Sequence, residues 1–113
     1  MKSKIVALSR NEEFKSLLNK KKLSNKYVTI FFGILNNKDN KSLNISFVTK
    51  KKLGNAVKRN KIKRRLRNIV NDAVKKITIK FNYSYLVIAK PTMLSSNYEN
   101  IKEILFQSFK DIK

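Results

Sequence analysis

Residues whose types could do chemistry are concentrated between positions 50 and 67, where the sequence reads KKKLGNAVKRNKIKRRLR. Arg59, Lys63 and Arg67 recur every four residues, so on a helix they share one face. No acidic residue occurs from position 40 to position 71, so these cations have no neutralising neighbour along the chain. A row of unopposed cations at this spacing is suited to contact the phosphates of a nucleic acid.

Arginine is the more specific cation in this segment. Four of the chain's five arginines lie here, while lysine dominates elsewhere. A guanidinium can hold a phosphate through two hydrogen bonds and can stack on a base, and lysine can do neither. The lysines at 50–52 precede the expected helix N-terminus, whose free N–H groups also favour phosphate. A charged helix face is often only a solvated one, but single-sign charge together with concentrated arginine favours contact with nucleic acid.

The composition identifies a small basic protein. The chain has 113 residues, with 27 Lys and Arg against 7 Asp and Glu, and a formal net charge of +20. Positive charges in such excess repel one another. Binding of a polyanion, either a nucleic acid or an anionic membrane surface, lowers this repulsion. Cys and His do not occur in the sequence, which excludes disulfides, zinc–cysteine sites and histidine catalysis. No apolar run has the length of a signal peptide or a membrane span, so we expect a cytoplasmic protein without a membrane partner.

The hydrophobic pattern predicts a helix before the basic segment. It is expected to begin near Ser9, because Ser9 and Glu12 have the spacing of a capping box. The lysines at 20–22 are expected to close it, since cations suit the negative end of a helix. Its apolar face is expected to hold Phe14, Leu17 and Leu18.

Two strands are predicted next, at 27–35 and 43–49. A hairpin through the polar turn at 36–42 is the most economical way to join them. The second strand alternates, which predicts one polar face carrying Asn44 and Ser46.

The basic segment itself opens a long helix, capped by Asn55 and ending near Ile77. A strand at 83–89 and a last helix follow, the latter with a capping-box spacing between Ser96 and Glu99. The order α-β-β-α-β-α predicts an α+β fold in one domain, 1–113, with helices covering one sheet. The long helix is expected to bury Ile62, Leu66, Ile69, Val70, Ala73, Val74 and Ile77, and the last helix Ile101, Ile104, Leu105 and Phe109.

The sequence GNAVKRNKIKRRLR, at 54–67, closely resembles the Arg-Asn-Arg signature of the bacterial ribonuclease P protein component family. The resemblance extends to SRNEEFKSLL, to SFVTKKKLGNAV, to SYLVIAKP and to the closing amphipathic helix. Lys61 stands where the family often has Arg, which keeps the charge but not the bidentate grip. The resemblance implies a two-layer α/β sandwich with a left-handed βαβ crossover.

The resemblance also implies two RNA-binding surfaces. The signature helix would dock on the catalytic RNA subunit, and a cleft between the first helix and the sheet would hold the single-stranded 5′ leader of precursor tRNA. The cleft candidates are Phe14, Tyr27 and Phe31, although Phe14 on an apolar helix face is also read as a core residue. Leu18 stands where many members carry Phe. The residues expected to contact the RNA subunit are Lys50, Lys51, Lys52, Asn55, Arg59, Asn60, Lys61, Lys63, Arg64 and Arg67.

The acidic residues form no convincing catalytic set. Glu12 and Glu13 diverge by about 100° on a helix, and Glu99 and Glu103 are read as an ordinary surface pair. In the family the RNA subunit holds the Mg²⁺ and cuts, so the resemblance implies an accessory subunit with no intrinsic cofactor. Its partners would be ribonuclease P RNA and precursor tRNA, with no obligate protein partner.

Three other functions stay open on the sequence. The first is a ribosomal or other structural RNA-binding protein of similar basicity. The second is a DNA-binding helix module, although the basic helix is long and lacks a short helix-turn-helix companion. The third is a membrane-surface protein, although the apolar helix faces are needed for a core.

Overall fold

The computed structural model describes residues 5–8, 11–35 and 42–112. Within them the chain forms three α-helices and one five-stranded sheet. Two 3-10 turns, Lys51–Leu53 and Pro91–Leu94, precede the second and third helices. The elements are β1 (Ile5–Val6), α1 (Asn11–Leu18), β2 (Lys21–Ser24), β3 (Val28–Gly33), β4 (Leu43–Val48), α2 (Ala56–Lys76), β5 (Ser84–Ala89) and α3 (Tyr98–Asp111).

The sheet has the strand order β1-β4-β5-β3-β2. β5 lies between β3 and β4, antiparallel to β3 and parallel to β4. The predicted hairpin between the strands at 27–35 and 43–49 is therefore wrong. β5 separates those two strands because its residues are buried on both faces, as a central strand requires. The parallel pair β4 and β5, joined through α2, forms the βαβ crossover, whose hand remains an implication of the family.

The larger core lies between one face of the sheet and the helices α2 and α3. From the sheet it takes Ile30, Ile45, Tyr85 and Val87, and from the helices residues such as Leu66, all at most 2% exposed. The burial of each such apolar side chain contributes about 1.5–3 kcal/mol. This layer of sheet and helices confirms the predicted α+β fold. The predicted stripe of α2 is also confirmed, with Val74 and Ile77 partly buried and the other five members fully buried.

α1 lies on the opposite face of the sheet. There Leu17 of α1 and Leu86 of β5 form a second, smaller core with Leu8. The predicted polar face of β4 points to this side, where it is covered rather than exposed to solvent. Asn44 is 5% exposed and Ser46 is 9% exposed, because the segment at 7–8 passes over the strand and Leu8 N–H donates to Ser46 Oγ at 2.8 Å.

Several element ends differ from the predictions. Lys21 and Lys22 do not close α1 but belong to β2, an edge strand paired with β3. Ser9 and most of the predicted turn at 36–42 lie outside the described residues. The cap of α3 is Asn97, whose side chain accepts from Asn100 N–H at 2.9 Å, rather than Ser96.

One residue of the predicted apolar face of α3 is also misplaced. Ile104 is 38% exposed, whereas Ser108, one turn later, is 5% exposed. The Ser108 hydroxyl donates to the carbonyl of Ile104 at 2.9 Å and accepts from the Asn25 amide at 2.7 Å. A polar residue is therefore buried here because it joins α3 to the turn before β3.

Candidate nucleic-acid interface

The N-terminus of α2 is fixed by its two preceding residues. Gly54 has a φ of +129°, a conformation that side chains rarely allow. Asn55 Oδ1 accepts from Lys58 N–H at 3.0 Å, so the predicted cap is confirmed. The side-chain oxygen of Asn55 is therefore occupied by a hydrogen bond within the protein. The 3-10 turn before Gly54 exposes Lys50, Lys51 and Lys52 beside the helix end.

The predicted row of cations lies on the outer surface of α2. Arg64 and Arg67 are exposed, as are Asn60 and Lys61, whereas Arg59 and Lys63 are half-buried. The buried edge of α2 begins next to these two, at Ile62 and Leu66. Asp72, the acid of this helix, pairs with Lys102 of α3 at 2.9 Å and leaves the row untouched. Among the described residues no carboxylate pairs with the row.

A second group of cations lies on the other flank of α2. Lys58, Lys61 and Arg65 surround a cavity of 240 Å³ against the 3-10 turn that holds Met93 and Leu94. Arg65 was not among the residues predicted to contact RNA. Its spacing of four from Lys61 was the signal that could have identified it. The exposed surface of α2 is thus cationic on both flanks.

A cavity of 480 Å³ lies between α1, β4 and α2, beside the helix at which the resemblance implies a cleft. Phe14 of α1 forms part of its wall, and Lys63 and Arg67 of α2 reach it from the other side. Within the described residues, β1 pairs with Leu43 and Asn44 of β4. The later residues of β4, from Ile45 onwards, line the cavity instead. The structure therefore brings a predicted cleft aromatic and two predicted phosphate-binding cations to one cavity.

The remaining two cleft candidates separate from each other. Phe31 is half-buried and packs, like Phe14, on the small core of Leu17 and Leu86, so it lies on the α1 side of the sheet. Tyr27 is 3% exposed and belongs to the larger core on the opposite side. Tyr27 is therefore wrong as a platform for bases.

The turn before β3 explains the position of Tyr27. Asn25 Oδ1 accepts from the N–H groups of both Tyr27 and Val28, at 2.8 and 2.9 Å. Tyr27 thus belongs to an Asx-type turn and does not follow the alternation of the strand.

The acidic residues of α3 line neither of the cavities beside the two groups of cations. Glu99, Glu103 and Asp111 are exposed on α3. The hydrogen bond from Lys102 holds the pKa of the Asp72 carboxyl below its ordinary value, and the same bond raises the pKa of Lys102. In the described part of the chain no three residues of the types His, Cys, Asp or Glu come together as metal ligands. None of the described helices is long and apolar enough to cross a membrane.

A cationic helix beside an aromatic-walled cleft, on an α+β scaffold, is typical of an RNA-binding protein. A family model described as Ribonuclease P matches residues 3–113 of the sequence. The chain belongs to the ribonuclease P protein family. A relative from Mesoplasma florum, named ribonuclease P protein component, is 34% identical over 105 residues, which is 92% of each chain.

Two solved structures resemble the described fold. The RNase P protein of Thermotoga maritima has a TM-score of 0.80, and the match covers 96% of this chain and 98% of the Thermotoga chain. Because the two sequences are 24% identical, this likeness shows the fold alone. The RNase P protein of Staphylococcus aureus has a TM-score of 0.77 at 29% identity, covering 95% and 94% of the two chains. The predicted family and fold class are confirmed.

Proposed function

We propose that the chain is the protein subunit of ribonuclease P, and that it assists removal of the 5′ leader from precursor tRNA in the cytoplasm. In this proposal α2 binds the RNA subunit and the cleft beside α1 binds the leader. The observation that carries it is the position of Lys63 and Arg67, which belong to the cationic row of α2 and also line the cavity with Phe14. Two RNA chains held on these surfaces would lie next to each other.

Contact with the RNA subunit is supported by the free cations of α2. Lys50, Lys51 and Lys52 stand at the helix N-terminus, and Arg64 and Arg67 are exposed along it. Folded RNA presents phosphates at many spacings, which an arginine-rich helix can meet with bidentate hydrogen bonds. Asn60 and Lys61, also exposed, and the half-buried Arg59 would complete this surface, with Asn55 at its edge.

Contact with the leader is supported by the chemistry of the cleft. A leader of variable sequence can be bound only through features that all nucleotides share, namely base faces and phosphates. Phe14 lines the cleft, and Phe31, which does not line this cavity, adds aromatic surface on the same side of the sheet. Stacking on such a ring contributes about 1–3 kcal/mol per base without sequence preference. Lys63 and Arg67 would bind the leader phosphates.

The cleavage itself is assigned to the RNA subunit in this proposal. Mg²⁺, held mainly by that RNA, would supply the charge neutralisation that phosphodiester cleavage requires. The residues of the protein would bind and position the precursor and would lower the repulsion between two polyanions. The described carboxylates of α3 lie on a helix that contributes nothing to the cleft lining.

Reconstitution tests this function. The protein is added to a bacterial ribonuclease P RNA at low Mg²⁺ together with precursor tRNA, and 5′ maturation is followed. We expect the protein to stimulate cleavage and to bind both the RNA subunit and leader-bearing precursor. The protein without the RNA should cleave nothing at any Mg²⁺ concentration. Binding to other structured RNAs with equal affinity, and no stimulation, would contradict the proposal.

A further inference from the structure

A third cavity, of 440 Å³, lies at the end of β3 and has no part in the surfaces described so far. It is lined by Lys20 and Lys21 on one side and by Phe32, Ile34 and Tyr83 on the other. It shares no lining residue with the cleft. Its lining residues belong to the start of β2, the end of β3 and the residue before β5, so the cavity lies at the end of the sheet.

The apolar wall of this cavity resembles a platform for a base. Tyr83 leans on Phe32, with ring centroids 5.6 Å apart and planes tilted by 47°. Phe32 is only 6% exposed and supports the tyrosine from below. Ile34 is 59% exposed beside them, although nothing in the larger core requires an apolar residue there. A flat hydrophobic ligand would cover this surface.

The other wall is cationic. A Cβ built on Gly33 would lie 2.6 Å from Lys20 Cδ and 2.9 Å from its Cβ, so the lysine stem is packed directly over the glycine. The stem thereby follows the rim of the cavity. Lys80 Nζ lies 5.7 Å from the centre of the Tyr83 ring. Among the lining residues there is no carboxylate. An apolar floor with cations at its rim fits a base together with its phosphate.

We infer that this cavity binds an unpaired nucleotide of the precursor leader, beyond those held in the cleft. The inference rests on the proposed function, because it extends the path of the same leader. α1 connects the cleft to this cavity, since Phe14 lines the cleft and Lys20, shortly after the helix, lines the 440 Å³ cavity. Phe14 and Lys20 are separated by the last turn of α1, a rise of about 6 Å from Phe14 to Leu18, and by two residues beyond the helix. Leu18, which lies between them, is 47% exposed and offers apolar surface along the way.

A leader-length series tests the inference in the reconstituted complex. Affinity is measured for precursors whose leaders are lengthened one nucleotide at a time. For the unaltered protein, affinity should rise once more after the cleft is filled. The double variant Ile34→Asn, Lys20→Gln should abolish this late increment, a loss of about tenfold for one nucleotide whose base is stacked and whose phosphate contacts a lysine. Lys110→Gln, which removes an exposed cation from α3, should keep it. Equal weakening at every leader length would overturn the inference.

Crosslinking identifies the occupant directly. The chain contains no Cys, so Ile34→Cys provides a unique thiol at the mouth of the cavity for a photoactivatable group. We expect a crosslink to leader nucleotides upstream of those that contact the cleft. A crosslink to the RNA subunit, or to no RNA, would overturn the inference while stimulated cleavage still supports the proposed function. Failure of the unaltered protein to stimulate cleavage would overturn both.

Discussion

The backbone N–H of Leu8 donates to the hydroxyl of Ser46 at 2.8 Å, which ties the segment at 7–8 to the middle of β4. Ala7 and Ser46 both line the cleft, so this bond holds one wall of the proposed leader site in place. The two partners are separated by 38 positions in the sequence. The cleft therefore depends on a long-range hydrogen bond as well as on the packing of α1.

Ser46→Ala should lower the free energy of unfolding by about 1–3 kcal/mol, because the buried N–H of Leu8 loses its acceptor. Chemical denaturation measures the change. Ser95→Ala, at an exposed serine just after the second 3-10 turn, is the control and should alter stability little. Equal stability of the two variants would show that the bond contributes nothing to the fold.

Arg64→Ala should weaken binding to ribonuclease P RNA. If one phosphate contact is lost, the slope of log K against log salt should also become shallower by about one unit. Filter binding across a range of salt concentrations measures both quantities. Lys110→Ala removes a cation of equal charge from α3 and should leave the slope unchanged. An unchanged slope in the Arg64 variant would remove that residue from the RNA-binding surface.

Phe14→Ala should reduce the preference for precursor over mature tRNA by about tenfold, the contribution of one stacked base. Because Phe14 is only half-buried, stability should fall by less than the roughly 3–5 kcal/mol typical of a fully buried Phe. Phe106→Ala, at a half-buried Phe of α3, is the control for lost packing and should keep the preference. A full core-sized loss of stability with the preference intact would show that Phe14 is a core residue only.

Asp72→Asn should reduce the dependence of stability on acid pH. The Lys102 hydrogen bond lowers the pKa of Asp72 in the folded protein. Its contribution is therefore present above the unfolded pKa and is lost as the pH falls through the folded pKa, which lies below the ordinary value of 3.8 for an aspartate. Denaturation curves between neutral and strongly acid pH measure it. A variant as acid-sensitive as the unaltered protein would show that the pair does not couple to folding.

Asn97→Ala should destabilise α3 by about 1 kcal/mol, since its side chain accepts the N–H of Asn100 at the helix start. Ser96→Ala tests the neighbouring residue, which the sequence pattern favoured, and should cost less. Thermal unfolding followed by circular dichroism distinguishes the two. A larger loss of stability in the Ser96 variant than in the Asn97 variant would show that Ser96 is the cap.

The features that depend on local spacing were predictable. α2 begins after Asn55 and ends at Lys76 as expected, because a cap and a helical apolar stripe are encoded within the segment itself. The cation row of α2 followed from the same periodicity. Arg65 was not predicted, because the spacing of Arg59, Lys63 and Arg67 marks only one flank, although a helix with a narrow buried stripe exposes both flanks.

Strand pairing was not predictable from neighbouring residues. β3 and β4 are adjacent in the sequence, yet each pairs with β5, which follows a helix of 21 residues. Burial over the whole sheet determines which strands pair, since β5 has apolar side chains for both faces of the sheet. β4 was read as half-polar because nothing in its own sequence reveals that the segment at 7–8 covers Ser46.

Tyr27 and Phe31 show how a single turn determines which aromatic residue lies on the α1 side of the sheet. Four positions apart, they would share a face of a regular strand. Asn25 accepts two N–H groups and turns the chain just before β3, so only Phe31 follows the strand alternation. The short edge strand β2 was missed because lysine at two of its four positions resembles a helix end.

The unequal charge of the two neighbouring helices gives the molecule an electric polarity. α2 carries nine Lys and Arg and one Asp, whereas α3 carries two Lys and three acidic residues. A polyanion attracts the first helix and not the second, so the protein should rotate toward RNA during approach, before any side chain touches it. Encounters would thus begin in nearly the correct orientation, and raising the ionic strength would slow association as well as weaken the complex.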